Sequence, residues 1–373
     1  MKPWTILHTI ETGGPGGAET VLLNIASRLP AERFRSVVLL PRNGWLCASL
    51  HERGVPTILS EDYGRLGPIP SMVSLARREN AALIHAHLPD QNFYAALAGT
   101  VARRPVIATY HGDLQLTGPG AFRRKIKLAT VRRLATSTVA VSDYLRSSLL
   151  KAGFSENTTV RIYNGIEPEK FRRAHPGRLR SELKCANGVR LVGMIANLRK
   201  SKNYDTFVRA ARKVAEAQPE ARFVAVGDID PELGGKVRQQ LRELSLEDKF
   251  VLLGFRRDVP ELLADLDCFI LSSESEGFSI ATVEAMAAGR PVVVTRSGGP
   301  QEIVDHGRTG LLVQPGDPDA LAAGITKVLS DRDQASALGR AAQAEVEHRF
   351  SVEAMLVQYQ QLYERLLSSR ESP

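Results

Sequence analysis

Short apolar, β-branched runs alternate with helical patterns along nearly the whole chain, and the cycle runs through twice. Strands separated by helices must be joined by crossovers, which makes neighbouring strands parallel and covers both sheet faces. In the first cycle, residues 4–10, 36–40, 82–86, 106–109 and 138–141 read as strands. Helical patterns fall near 47–53, 71–79, 93–102 and 142–152, and a further one carries Val21, Leu22, Leu23, Ile25, Ala26 and Leu29 in phase. The pattern breaks around 168–188, where His175-Pro176-Gly177 and Asn187-Gly188 signal turns. Strands then resume near 190–195, 222–226, 250–253, 268–271, 291–295 and 311–313. Helices alternate with them near 204–217, 235–244, 259–264, 280–288, 301–305 and 318–330. The tail, 351–367, is one more helix with Leu356, Tyr359, Leu362, Tyr363 and Leu366 in register.

The expected fold is therefore α/β, with two doubly wound, Rossmann-like halves whose parallel sheets face each other across a cleft. The length of 373 residues suits two domains. They are expected at 1–175 and 188–350, with residues 351–373 as a final helix. Hydrophobic residues at 43% and charged residues at 24% exclude disorder and fibrous repeats. No apolar run reaches the roughly 18 residues of a membrane-spanning helix. Residues 1–10 lack the cleavage site of a secretory leader. Cys47, Cys185 and Cys268 are too scattered for a disulfide framework or a CxxC site, so a reduced, cytoplasmic compartment is expected. Charge is asymmetric: residues 1–180 carry 25 Lys+Arg against 13 Asp+Glu, the remainder 24 against 28. The basic half is the one suited to an anionic partner.

The segment richest in chemistry runs from 271 to 295, LSSESEGFSIATVEAMAAGRPVVVT. It reads strand, polar loop, helix, turn, strand. Glu276 lies in the loop, and Glu284 lies eight positions on, inside the helix. Gly277, Phe278 and Ser279 stand where a helix start exposes free N–H groups, an arrangement suited to a diphosphate. The two carboxylates suit sugar or ribose hydroxyls. The plainer alternative is a helix cap followed by an exposed glutamate.

Glu276-x7-Glu284 followed by Ala-x-Ala-x-Gly-x-Pro-Val resembles the nucleotide-sugar signature of retaining glycosyltransferases with the GT-B fold, and more narrowly glycosyltransferase family 4. Other segments match in order. GGPGGAE at 13–19 resembles the first glycine loop, Tyr110-His111-Gly112 the family's histidine after a strand, and Asn164 to Glu167 the segment before the interdomain linker. GFRRDV at 254–259 resembles the base-binding stretch, and segments 297–303 and 307–317 complete the series. The resemblance covers nearly the whole chain. It implies transfer from a UDP- or GDP-sugar to a saccharide or lipid-linked acceptor, by front-face attack and without a protein nucleophile. It assigns the acceptor to the N-terminal domain and the donor to the C-terminal one, and returns the last helix to the N-terminal domain. No cofactor and no metal are implied.

The same resemblance gives the site residues. Lys202 and a nearby arginine stabilise the charge growing on the leaving diphosphate. The usual arginine position holds Asn197 and the usual glycine is Asn203, so Arg199 is the natural substitute, with Lys200 beyond it. Glu276 meets the transferred sugar, Glu284 the ribose, and Arg256 the base side. Gly16 and Gly17 line the diphosphate or acceptor, and His111 the reacting centre. A nucleotide-sugar epimerase and a silent nucleotide-sugar-binding protein stay open as alternatives.

Other clusters read more plainly. His8 lies mid-strand and reads as core. His85 and His87 are two histidines without a recognisable third ligand. Asp228-Ile229-Asp230 reads as a loop after a strand, with a metal site as its alternative. Residues 122–134 mix cations with Ile126, Leu128, Val131 and Leu134. This is either a solvated helix face or a surface for anionic lipid at the inner face of a membrane. No stacking aromatics interleave with these cations, so nucleic acid is not an expected partner.

Overall fold

The computed structural model describes residues 2–60, 67–114 and 116–368. It divides into two compact units, one formed by 1–165 with 352–373, the other by 166–351. The first contains β1 (Trp4–Ile10), α1 (Gly17–Arg28), β2 (Phe34–Leu40), α2 (Trp45–Glu52), β3 (Thr57–Leu59) and α3 (Ile69–Arg78). It continues with β4 (Leu83–His87), α4 (Pro89–Ala102), β5 (Val106–Tyr110), α5 (Ala121–Leu134), β6 (Ser137–Ala140), α6 (Asp143–Lys151) and β7 (Thr159–Arg161). The second contains α7 (Pro168–Arg172), α8 (Arg178–Glu182), β8 (Arg190–Ile195), α9 (Tyr204–Ala217), β9 (Ala221–Val226) and α10 (Pro231–Glu243). Then follow β10 (Phe250–Gly254), α11 (Val259–Asp265), β11 (Cys268–Leu271), α12 (Ile280–Ala287), β12 (Val292–Thr295), α13 (Pro300–Ile303), β13 (Leu311–Val313), α14 (Pro318–Ser330) and α15 (Arg332–Arg349). Helix α16 (Val352–Ser368) belongs to the first unit.

Both sheets are parallel in every pairing. Their orders are β3-β2-β1-β4-β5-β6-β7 and β10-β9-β8-β11-β12-β13. Each order reverses direction beside its first strand, between β1 and β4 and between β8 and β11. Loops leaving the carboxyl ends of those strands diverge, which opens a crevice at each switch point.

Two findings correct the expected domain limits. The division falls between Gly165 and Ile166, not at 175. The turn at 175–177 lies inside the second unit, between α7 and α8. Helix α7 packs on α11 and α12, and α8 packs on α11. Asp265, buried at the end of α11, accepts N–H groups of Gly177 at 2.5 Å and Leu179 at 2.7 Å, so it caps α8. Helix α15 was not anticipated. It buries only Leu338, Gly339, Ala342 and Val346, a stripe too narrow and small to stand out as a periodic signal.

Alternation along the central strands of the first sheet decides what each face carries. On one face Leu7, Ile84, Ala86 and Val106 enter an aliphatic core. On the other, His8 pairs in register with His85, and His87 with Thr109. The Tyr359 and Tyr363 rings of α16 pack against His85, at 5.3 and 5.7 Å between centroids.

Candidate functional site

The β8–α9 and β11–α12 loops flank the switch point of the second sheet and are hydrogen-bonded to each other. Ser272 Oγ donates to the Lys202 carbonyl at 2.8 Å, and the Glu274 N–H donates to the Ser201 carbonyl at 2.9 Å. Asn203 Nδ2 donates to Glu274 at 3.1 Å. These ties hold Lys202 against Glu276 as an ion pair, while Ser273 Oγ donates to Glu276 at 2.6 Å. Side-chain exposures of 22% for Lys202 and 11% for Glu276 leave the pair largely shielded, which strengthens its field relative to water.

The Glu276 loop is also clamped to the turn after β12. Its N–H donates to the Ser297 carbonyl at 2.7 Å, and its carbonyl accepts the Gly299 N–H at 2.9 Å. A Cβ on Gly299 would lie 2.5 Å from the Gly277 carbonyl oxygen, so only glycine permits this approach. Gly277, Phe278 and Ser279 then lead into α12. Ser279 caps it, accepting the Thr282 N–H at 3.3 Å, and Phe278 is buried against Phe350 at 5.8 Å between centroids.

Glu284 sits on the partly exposed face of an otherwise buried helix. Desolvation pushes its carboxyl up to about 7, and the nearby Lys170 of α7 opposes that rise. Lys170 escaped the sequence reading because it lay on the wrong side of the expected domain boundary.

Other expected donor residues fare differently. Arg199 is exposed at the start of the Lys200–Lys202 turn of 3-10 helix and makes no ion pair among the described residues. Asn197 is committed elsewhere. Its Oδ1 accepts the Asp228 N–H at 2.9 Å and pins the turn at Gly227, where a Cβ would sit 2.2 Å from the Ala196 carbonyl oxygen. Asn203 has φ +44°, a conformation that glycine adopts freely and asparagine tolerates, and it caps α9. Arg256 is also committed. Its Nε and Nη2 donate to Asp258 at 2.8 and 2.7 Å, and its Nη1 donates to Glu182 at 2.9 Å. A guanidinium bound by two carboxylates is a structural clamp between α8 and α11 rather than a free donor to a base. Asp230 caps α10 through the Leu233 N–H at 2.9 Å.

In the first unit, Gly16 is the N-cap residue of α1 and Gly17 its first residue, at the carboxyl end of β1. A Cβ on Gly16 would lie 2.3 Å from the Glu19 carboxylate, which Thr12 Oγ1 also hydrogen-bonds. His111 follows β5 and its Nε2 lies 3.0 Å from His87 Nδ1. Burial lowers His111 to about 3, and it holds His85 and His87 well below their ordinary value. His8 is the third histidine that spacing missed, because it comes from β1. His8, His85 and His87 offer nitrogens within 4.8 Å of one another. Both His85 nitrogens are already engaged, by Tyr363 Oη at 2.6 Å and Thr109 Oγ1 at 2.8 Å, so a metal ion there would have to displace one of these bonds.

No described helix is long and apolar enough to cross a membrane. Residues 15–170 match the model of Glycosyltransferase Family 4, and 178–345 that of Glycosyl transferases group 1. The chain is 31% identical to 2-deoxystreptamine N-acetyl-D-glucosaminyltransferase of Niallia circulans over 97% of this chain and 92% of that protein. It is 25% identical to the UDP-Gal:alpha-D-GlcNAc-diphosphoundecaprenol alpha-1,3-galactosyltransferase of Escherichia coli, over 85% of each. Among solved structures it is similar to Anabaena HepE in complex with UDP and glucose, with TM-score 0.86 and 28% identity over 98% of this chain and 100% of that one. With two parallel doubly wound sheets and matches along both units, the chain belongs to the family 4, group 1 glycosyltransferases and has the GT-B fold.

Proposed function

We propose that the chain is a retaining glycosyltransferase that moves a sugar from a nucleoside-diphosphate sugar, UDP- or GDP-linked, to a saccharide or lipid-linked acceptor. The observation that carries this reading is the shielded Lys202–Glu276 pair at the second switch point, next to the α12 N-terminus, with Glu284 further along that helix. Cleaving an anomeric carbon–oxygen bond leaves positive charge on the sugar and negative charge on the diphosphate. Lys202, with exposed Arg199, answers the second, and Glu276 accepts from hydroxyls of the first. The reading requires no divalent ion, because cationic side chains take its electrostatic part. Binding of UDP and glucose by HepE, and the UDP-Gal donor and diphosphoundecaprenol acceptor named for the E. coli relative, support this substrate class.

Glu284 supplies the test. Ribose hydroxyls donate to an ionised carboxylate and pair less well with a carboxylic acid. With its carboxyl at about 7, Glu284 ionises across neutrality. UDP affinity is therefore expected to rise by at most about ten-fold between about pH 6 and 8, if only the ionised form binds. Calorimetric titration measures it, and Glu284→Gln, which removes the carboxyl but not the titration of UDP itself, is expected to lose that part of the rise. Identical pH profiles for both proteins would refute the ribose role.

The lipid-linked acceptor brings in α5. Phe122 is 78% exposed and Ile126, one turn on, 50% exposed, among Arg123, Arg124 and Lys125. Apolar side chains flanked by cations suit an anionic lipid surface. The protein is expected to sediment with vesicles containing phosphatidylglycerol and not with pure phosphatidylcholine. Phe122→Ser with Ile126→Ser is expected to weaken partitioning onto the vesicles by at least about 100-fold, since each buried apolar side chain contributes about 1.5–3 kcal/mol. Equal binding to both vesicles, or no effect of the substitutions, would remove the membrane role.

A further inference from the structure

The amino-terminal ends of β8, β11 and β12 lie side by side in the second sheet, at the opposite end of the strands from the Lys202–Glu276 pair. A cavity of about 310 Å³ opens there beside the start of α15, lined by Arg190, Asp267, Arg290, Arg332 and Ser336. Leu266 and Val328 give it an apolar wall. Clefts for small molecules run from about 300 to 1,000 Å³. The charges around this one do not balance. Asp267 is already engaged: it accepts Arg180 Nη2 at 2.6 Å and the Leu191 N–H at 2.7 Å, and Arg190 reaches it only at 3.5 Å. Arg290 has no carboxylate bonded to it. Its Nε donates to the Ala288 carbonyl at 3.0 Å, and its Nη1 to those of Ala264 and Leu266 at 3.2 Å. Those neutral acceptors fix the guanidinium and cancel none of its charge, and Nη2 has no partner among the described residues. Burial accordingly holds Arg290 below its ordinary value. Arg332 is exposed and makes no hydrogen bond or ion pair among the described residues, and neither does the Ser336 hydroxyl one turn on. Asp331 and Asp333 flank Arg332 in the chain but do not line the cavity, and Asp331 caps α15 by accepting the Gln334 N–H at 2.9 Å.

We propose that this cavity binds a phosphate monoester, at a site separate from the nucleotide-sugar crevice. Three guanidiniums against one carboxylate leave two positive charges on the wall, the complement of a monoester dianion. Guanidinium forks bind phosphate oxygens in pairs, and three of them around one cavity match the three terminal oxygens of the ester better than the two of a carboxylate. The ester's organic group covers Leu266 and Val328. None of these residues belongs to the proposed donor site, so the two sites stand or fall separately.

Side-chain Nε–H NMR of the full-length protein with 15N-labelled arginine reads the site directly, with phenyl phosphate as the probe. The signals of Arg290 and Arg332, assigned by their loss in Arg290→Lys and Arg332→Gln, are expected to shift together on titration. Arg332→Gln with Ser336→Ala removes two donors that hold nothing else in the fold. This double variant is expected to bind phenyl phosphate about ten- to a hundred-fold more weakly, the scale of one lost hydrogen bond to a charged group, with the Kd for UDP unchanged. Inorganic phosphate is expected to bind at least about ten-fold more weakly than the ester, because it leaves the apolar wall uncovered. Equal affinity for the two would overturn the ester assignment. No shift of either arginine signal at up to about 10 mM phenyl phosphate, or equal affinity in the wild type and the double variant, would overturn the site itself. Displacement of phenyl phosphate by UDP would place it in the donor crevice and overturn the proposal as well.

Discussion

Lys202→Met is expected to reduce kcat by 10²- to 10³-fold at saturating donor, roughly 3–4 kcal/mol, the effect of removing one preorganised group aimed at a developing negative charge. The same substitution leaves Glu276 without its cation at a position where the carboxylate is only 11% exposed. An unpaired, shielded carboxylate costs several kcal/mol of stability, so the single variant is expected to unfold at lower temperature as well. Two effects are then mixed in one number. Lys202→Met with Glu276→Gln separates them, because it removes both charges and leaves an amide that Ser273 still reaches. The double variant is expected to regain most of the wild-type melting temperature and none of the lost turnover. If Lys202→Met kept a third or more of wild-type kcat, the cation at the leaving diphosphate would have to be another residue, and Arg199 and Lys200 are exposed cations nearby in sequence.

The second large effect is acid unfolding of the first unit. Burial lowers His8 and His111 to about 3, and His85 and His87 well below their ordinary value. In the unfolded chain each binds a proton near pH 6.5, about its ordinary value, and in the folded chain it does not. Stability contributed by the four is therefore complete above that pH and is lost as pH falls from there toward about 3. Each group contributes up to about 1.4 kcal/mol per pH unit, so four lose at most about 5 kcal/mol per unit. A domain with roughly 5–15 kcal/mol of stability does not survive much more than two such units. Two carboxyls act in the opposite sense. Glu11 and Glu284 are raised, so the folded state holds their protons more tightly and gains stability on acidification. They are two against four, and Glu284 lies in the other unit. Hydrogen exchange at about pH 5 is expected to show protection lost first in β1, β4 and β5, where the histidines sit. His8→Asn with His85→Asn is expected to flatten the pH dependence of melting. A melting temperature constant from about pH 7 to 4.5 would contradict neutral burial of the cluster.

The sheets were readable in the sequence because their central strands bury both faces and appear as continuous apolar runs, as in residues 268–271 and 292–294. The strands that escaped, β3 and β7, are three-residue edge strands with half-exposed residues, too short to show a period. In the proposed site, Lys202, Glu276 and Glu284 stand out in the sequence because their spacing follows the strand–loop–helix geometry, and the fold brings Lys202 and Glu276 together as an ion pair. The partners that Asn197 and Arg256 take were not legible, for a different reason. Residue type shows what a side chain can donate or accept, but not which neighbour has already taken it. Asp228 takes Asn197, and Asp258 with Glu182 takes Arg256, through contacts 31 and 74 positions apart for Asn197–Asp228 and Arg256–Glu182. The histidine cluster shows the same limit. His85 and His87 share a strand face by simple alternation, but His8 and Tyr363 join them only through the sheet register and the return of α16.

The most direct test of the proposed donor site is calorimetric titration of UDP, GDP and ADP into the wild-type protein and Glu284→Ala. One diphosphate is expected to bind the wild type selectively and without added divalent ion. Glu284→Ala is expected to weaken that binding about ten- to a hundred-fold, the scale of one lost hydrogen bond to a charged group. Binding of none of the three, or equal binding by both proteins, would contradict the assignment of the nucleotide to α12 and the Lys202–Glu276 pair.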